Sequence, residues 1–350
     1  MHLNSALLSI SVLLSIGSAP SATFAASSLS ELTAPALEAK PSDHDACTSR
    51  PGDEGFSSEK ALAACEKIIE SGEATGTYLA QTYNNRGVEL ERGGDLRAAE
   101  EDYRRAVSID ADYAIGWNNL SEVLSELHRY EEAIAAAEAA IAVEDADDWG
   151  YQNRAYALRR LGRVPEARKD LNTALLFDPD NTWSHRESGY LHSENGEHDL
   201  ALASFRRAYD LDPEDTNSQY GLAYGLDDAG EYRDALDLLD RSIATNPTTD
   251  LVNLRGLIYT DRSDDVRDLG RGIADLEWVV EEDSEYAMAV YNLSRAYALD
   301  MRPEDALRLL RNGLSLEVRP GQARDIIGAL FRRGAPISAA KAARMLADAD

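Results

Sequence analysis

Residues Ala80–Tyr113 read AQTYNNRGVELERGGDLRAAEEDYRRAVSIDADY, and the chain repeats their pattern every 34 residues, restarting at Ala114, Asp148, Thr182 and Thr216. Small residues recur at fixed places. The eighth position carries Gly87, Ser121, Ala155, Gly189 and Ala223; the twentieth carries Ala99, Ala133, Ala167, Ala201 and Ala235; the twenty-seventh carries Ala106, Ala140, Ala174, Ala208 and Ser242. Close-packed helices approach tightly only where side chains are this small, so these positions mark helix-to-helix contact. Large residues fill between them: Tyr83, Trp117 and Tyr151 at the fourth position, Leu90, Leu124, Leu158 and Leu226 at the eleventh, and Tyr103, Leu171, Phe205 and Leu239 at the twenty-fourth. Gly94, Gly162, Gly196 or Gly230 supplies a left-handed stop to a first helix. Asp178-Pro179, Asp212-Pro213 and Asn246-Pro247 stop a second one, because the residue before proline is pushed out of the helical region. A period of this length predicts an array of helix pairs, each able to bury a face only against its neighbours.

Trp117-Asn-Asn-Leu120-Ser121 and Tyr83-Asn-Asn-Arg86-Gly87 open two units, and Ala201-Leu-Ala-Ser-Phe205 followed by Pro213 closes another. On these residues the pattern resembles the tetratricopeptide repeat. The resemblance implies an all-α fold, a right-handed superhelical solenoid of antiparallel helix pairs whose first helices line a concave groove for peptides or partner proteins. About seven repeats are expected over residues 80–320, the last two starting near Asp250 and Ala287, with capping helices over 321–350. In the sixth repeat the second helix is expected near Gly272, four residues late, after a looped stretch Arg262–Arg271. Residues 58–79 read as a capping half-repeat with Cys65 on its inner face.

Ahead of the array, Ala6–Ile16 is an apolar run too short to span a bilayer. Small residues follow, and residues 1–25 fit a secretory signal peptide cut near Ala25. No Lys or Arg precedes the run, so a retained N-terminal anchor or a misassigned start is the alternative. Residues 26–57 read as a linker. Cys47 and Cys65 are the only cysteines, and in an exported chain they are expected to form a disulfide. Export points to the periplasm of a Gram-negative bacterium, with secretion as the alternative, and to no membrane insertion after cleavage. With 63 acidic against 35 basic residues the net charge is −28, which argues against nucleic-acid or anionic-membrane partners.

The sequence offers little chemistry. It has no phosphate-cradling glycine loop, no H-E-x-x-H and no G-x-S-x-G. His185 and His192 share a helix face but occupy the fourth and eleventh positions, where other units place Tyr, Trp or Leu, and read as packing. Asp145-Ala-Asp147-Asp148 lacks the calcium-loop layout, and Asn119 and Asn292, which match the glycosylation pattern, fall within helices. No metal, no cofactor and no catalytic residue is expected. What remains is the groove. By the resemblance, the second, fifth, sixth, ninth, twelfth and thirteenth positions of first helices face it. Asn85, Asn119 and Asn153 at the sixth position are expected to form a ladder of amides for an extended peptide. Tyr156, Tyr190 and Tyr224 at the ninth, with Trp149, Trp183 and Tyr220, offer aromatic contact area. Arg159, Arg160 and Arg186 among them could hold a carboxylate. The family's own carboxylate clamp is not reproduced, since Asn84 and Val88 stand at its first-unit positions. The expected function is a non-enzymatic, protein- or peptide-binding scaffold of the cell envelope. The alternatives are an assembly subunit that uses its convex or end surfaces, and an envelope enzyme working on Arg262–Arg271.

Overall fold

The computed structural model describes residues 41–53, 55–143, 148–262 and 266–315, and near the C-terminus residues 326, 328 and 339–343. The region expected to be a signal peptide lies outside the described residues. Sixteen helices and no strand are found among them. The chain divides into two bodies, one ending at Leu191 and the other beginning at His192. The N-terminal body holds α1 (Pro41–Thr48), α2 (Ser58–Ser71), α3 (Gly76–Arg92), α4 (Leu96–Ile109), α5 (Ala114–Glu126), α6 (Tyr130–Ala142), α7 (Asp148–Arg160), α8 (Val164–Phe177) and most of α9 (Thr182–Glu194). The C-terminal body holds α10 (His198–Leu211), α11 (Thr216–Asp228), α12 (Tyr232–Thr245), α13 (Thr249–Arg262), α14 (Val266–Glu282), α15 (Ala287–Leu299) and α16 (Pro303–Ser315).

Within a repeat the two helices meet at the small positions. Ala99, Ala133, Ala167, Ala201, Ala235 and Ala306 are all fully buried. Opposite Ala99 stands Gly87, where an added Cβ would lie 2.7 Å from Cε1 of Tyr103. Where the eighth position is serine, its hydroxyl crosses to the partner helix instead. Ser121 Oγ donates to the Ala133 carbonyl at 2.8 Å, and Ser294 Oγ to that of Ala306 at 2.7 Å. First helices end through a residue in the left-handed region. Gly94 and Gly162 fill this place with φ of 83° and 74°, but His128 and Met301 occupy the same register with φ of 60° and 61°. A side chain there costs about 1–2 kcal/mol of local strain.

A second device recurs. The seventh position carries arginine in three repeats, and each forks onto an aspartate of its own second helix. Arg86 Nε and NH2 reach Asp102 at 2.6 and 2.7 Å, Arg154 reaches Asp170 at 2.7 and 2.9 Å, and Arg255 reaches Asp275 at 2.8 Å twice. Arg255 also donates to Asp240 on the preceding repeat's second helix at 2.8 Å, so one guanidinium ties three helices. Bidentate geometry of this kind fixes orientation as well as contributing energy.

Two expectations need correction. The sixth repeat does not start its second helix near Gly272: α14 begins at Val266 and runs 17 residues, against 13 or 14 for α4, α6, α8, α10, α12 and α16. The extra residues add a turn to its N-terminal end rather than a loop, because Leu269, Ile273 and Leu276 bury at helical spacing. Gly272 then takes the alanine place, and a Cβ there would meet the Gly256 carbonyl at 2.8 Å. Likewise, the stretch expected to be a linker contains α1, so the N-terminal cap is a helix pair and not a half-repeat. Cys47 of α1 and Cys65 of α2 form a disulfide with Cα atoms 4.9 Å apart. Counted from the helix start, Cys65 is the eighth residue of α2, the place of Tyr103 in α4 and Phe205 in α10. A covalent bond thus stands where other repeats pack a large side chain. At the other end Ile326, Ala339 and Ala342 bury against residues of α15 and α16.

Candidate functional site

In the N-terminal body, α3, α5 and α7 touch in succession, whereas among the described residues no contact joins α4 to α6 or α6 to α8. The closer-set layer is the inner side of the stack, so the first helices form its concave face. The side chains on this face fall into three groups.

The asparagines do not form a ladder open to a ligand. Asn119 is buried and donates to Asn84 Oδ1 at 2.8 Å; Asn153 is buried and donates to the Asn118 carbonyl at 3.0 Å. In the C-terminal body Asn292 does the same to Asn253 Oδ1 at 3.1 Å. The sixth-position amide therefore stitches each repeat to the fifth position of the one before. Asn85 is half-buried.

The second group is a cation–aromatic cluster on α7 and α9. Arg159 is buried and donates to Glu187 Oε2 at 2.8 Å, with both side chains 6 % exposed or less. Its guanidinium lies 5.5 Å from the Tyr156 ring centre and 5.6 Å from that of Tyr190, which is itself buried. Arg159 is thus a structural ion pair and not an open carboxylate receptor. Arg160 is different. It donates to the Tyr156 hydroxyl at 2.7 Å and lies 5.2 and 5.6 Å from the rings of Tyr130 and Tyr156. Among the described residues no carboxylate pairs with it. Trp183 tilts against Tyr156 with centroids 6.5 Å apart, and Trp149 and Arg186 are half-buried nearby in the register. Burial raises the Tyr156 hydroxyl above the usual tyrosine range, so it stays a neutral partner to Arg160.

The third group was not singled out in the sequence. Glu91, Glu122 and Glu126 stand at the twelfth, ninth and thirteenth positions of the first two repeats, and one oxygen of each lies within 4.8 Å of the others. Tyr103 donates its hydroxyl to Glu91. Among the described residues none of the three carboxylates has an ion pair.

In the C-terminal body the same register positions are paired. Arg262 reaches Asp227 at 2.9 Å and Arg295 reaches Asp261 at 2.5 Å, each across one repeat. Tyr224 meets Phe205 edge-on at 6.0 Å, and Ser193 and His198 converge on Asp228 at 2.8 and 2.7 Å; Tyr220 is half-buried. The two histidines expected to pack do not converge on a common partner: His185 Nε2 lies 2.9 Å from the Pro179 carbonyl, and His192 Nδ1 lies 2.5 Å from Glu197.

Family models described as tetratricopeptide repeat match residues 80–113, 114–147, 153–216 and 193–258. The chain is a tetratricopeptide repeat protein. Its fold is shared with solved structures of low identity. A tetratricopeptide repeat protein from Parabacteroides merdae is 18 % identical with a TM-score of 0.58, over 72 % of this chain and 98 % of that one. Yeast Tom70 is 17 % identical with a TM-score of 0.57, over 81 % of this chain and 63 % of that one. Human IFIT1, solved as a dimer with m7Gppp-AAAA, is 17 % identical with a TM-score of 0.53, over 75 % and 68 %. Comparison with curated proteins gave no match. Among the described residues no helix of this tetratricopeptide repeat protein is long and apolar enough to cross a membrane.

Proposed function

We propose that this tetratricopeptide repeat protein is a non-catalytic scaffold of the cell envelope that binds an extended protein or peptide segment on its first-helix face. The observation that carries this reading is Arg160. Most guanidiniums in the C-terminal half of the first helices have a carboxylate beside them, as Arg92 has Glu89, Arg159 has Glu187, Arg262 has Asp227 and Arg295 has Asp261. Arg160 is held by two tyrosine rings and a hydroxyl, which orient it and leave its remaining donors for an acceptor from outside. Trp149, Tyr156 and Trp183 beside it in the register are the residue types enriched at binding hot spots. The repeats hold this surface rigid, so a docking partner loses little and the protein almost no conformational freedom. The apolar run Ala6–Ile16 and the Cys47–Cys65 disulfide support export to an oxidising compartment, the periplasm in a Gram-negative cell.

The test is affinity capture from envelope extract, read by mass spectrometry, with the mature chain beside an Arg160→Gln, Trp183→Ala variant shown by circular dichroism to be folded. A partner held by the parent and lost by the variant supports the reading. Equal capture by both overturns it and moves the interaction to the convex face.

A further inference from the structure

Glu91 lies near the end of α3, and Glu122 and Glu126 lie one turn apart on α5, so the three carboxylates meet where the second repeat packs on the first. With one oxygen of each carboxylate within 4.8 Å of the others and Glu91 and Glu122 half-buried, full ionisation would set three like charges against each other at a partly shielded site. Such a group titrates as a unit and retains a proton where isolated carboxylates have lost theirs.

The surroundings do not neutralise it. From α3 comes Arg92, which eases Glu91 but is held by Glu89. From α4 comes the Tyr103 hydroxyl, which bonds Glu91 and is itself neutral, its own titration pushed up by burial first and then by Glu91. Among the described residues no charged side chain of α1, α2, α6 or α7 acts on the three glutamates. In the C-terminal body Asp227 and Asp261 each meet an arginine; here an acid meets two more acids.

We propose that the first two repeats meet at a proton-linked joint, in which Glu91, Glu122 and Glu126 share a proton and its release to solvent weakens the packing of α5 on α3. Burial first, and then the mutual repulsion, push Glu122 from the ordinary 4.5 up to about 8; burial likewise lifts Glu91 to about 7, and burial raises Glu126. Folded-state values above the unfolded one mean that the contribution to stability is complete below the ordinary glutamate value. It is lost as pH rises through about 7 to 8.

The experiment is equilibrium denaturation of the mature chain at about pH 6 and about pH 9, beside Glu122→Gln, with carbon-detected titration of the glutamate carboxyls. The parent is expected to lose denaturation midpoint between the two conditions, and the amides of α3 and α5 to lose protection at the higher pH beyond the base-catalysed rise in intrinsic exchange. Glu122→Gln, which leaves a neutral amide among the acids, is expected to keep its midpoint, and at least one carboxyl of the parent to titrate above the ordinary glutamate range. If Glu122→Gln does not fold, Glu126→Gln, on the exposed side of the cluster, carries the same expectation. Parallel loss of midpoint in parent and variant, or three carboxyls titrating at ordinary values, overturns the proposal.

Discussion

The first-helix face of repeats one and two and that of repeats three and four share one backbone register but solve opposite electrostatic problems. At the ninth, twelfth and thirteenth positions the first pair of repeats gathers Glu91, Glu122 and Glu126, and the Arg92 beside them is held by Glu89. The second pair places Arg159 against Glu187 and the rings of Tyr156 and Tyr190, and Arg160 against the same Tyr156 ring and that of Tyr130. One surface pairs Arg159 internally and keeps Arg160 for an outside acceptor; the other limits its negative charge only by holding protons. The repeat scaffold fixes where side chains project, and leaves open whether a given position serves packing, pairing or recognition.

The largest effect should come from breaking the balanced side. Arg159→Leu leaves Glu187 buried without its partner, and removing one member of a buried pair costs about 3–5 kcal/mol. Changing both, Arg159→Leu with Glu187→Leu, should recover most of that loss in urea denaturation; if the double variant is as unstable as the single one, the pair is not what holds α7 to α9. A smaller effect sharpens the acidic side. Tyr103→Phe removes the hydroxyl from Glu91 and should cost about 1 kcal/mol, chiefly at high pH, because the hydroxyl favours the ionised carboxylate; a carboxyl titration should show Glu91 moving further up. Smallest in stability is Arg160→Gln, expected to change the folding free energy by no more than about 0.5 kcal/mol while abolishing partner capture. A large stability loss there would mean that Arg160 is a packing residue like Arg159.

The period was legible because sterics force it: Ala99, Ala133, Ala167, Ala201 and Ala235 recur since nothing larger fits between the helices of a repeat. The disulfide was legible from two cysteines in one short region. The site was legible only as a register. Asparagine at the sixth position is compatible with bonding a ligand or a neighbouring repeat, and only the 2.8 Å contact of Asn119 to Asn84 decides for the neighbour. Arg159 and Arg160 are adjacent in sequence and were read alike, yet a turn of helix puts one in the core and the other on the face. The Arg86–Asp102, Arg154–Asp170 and Arg255–Asp275 forks carried a signal that was missed, arginine at the seventh position with aspartate one residue before the large residue of the second helix. The extra turn of α14 was hidden because Arg262-Ser-Asp-Asp reads as a turn, and the buried spacing of Leu269 and Ile273 outweighs it only once the core is known.

The bond between Cys47 and Cys65 also decides how the molecule carries tension. A pull applied from the N-terminal side enters at α1 and passes through sulfur directly into α2, skipping the 17 residues between the cysteines, which stay slack. The helix pair that would otherwise peel away first is bypassed, and the load reaches the interface of α2 with α3 undiminished. Reducing the disulfide would lengthen the tether by those residues before any repeat yields, at up to about 3.3–3.6 Å each. A chain held at that end would then respond to its redox surroundings as a change in reach.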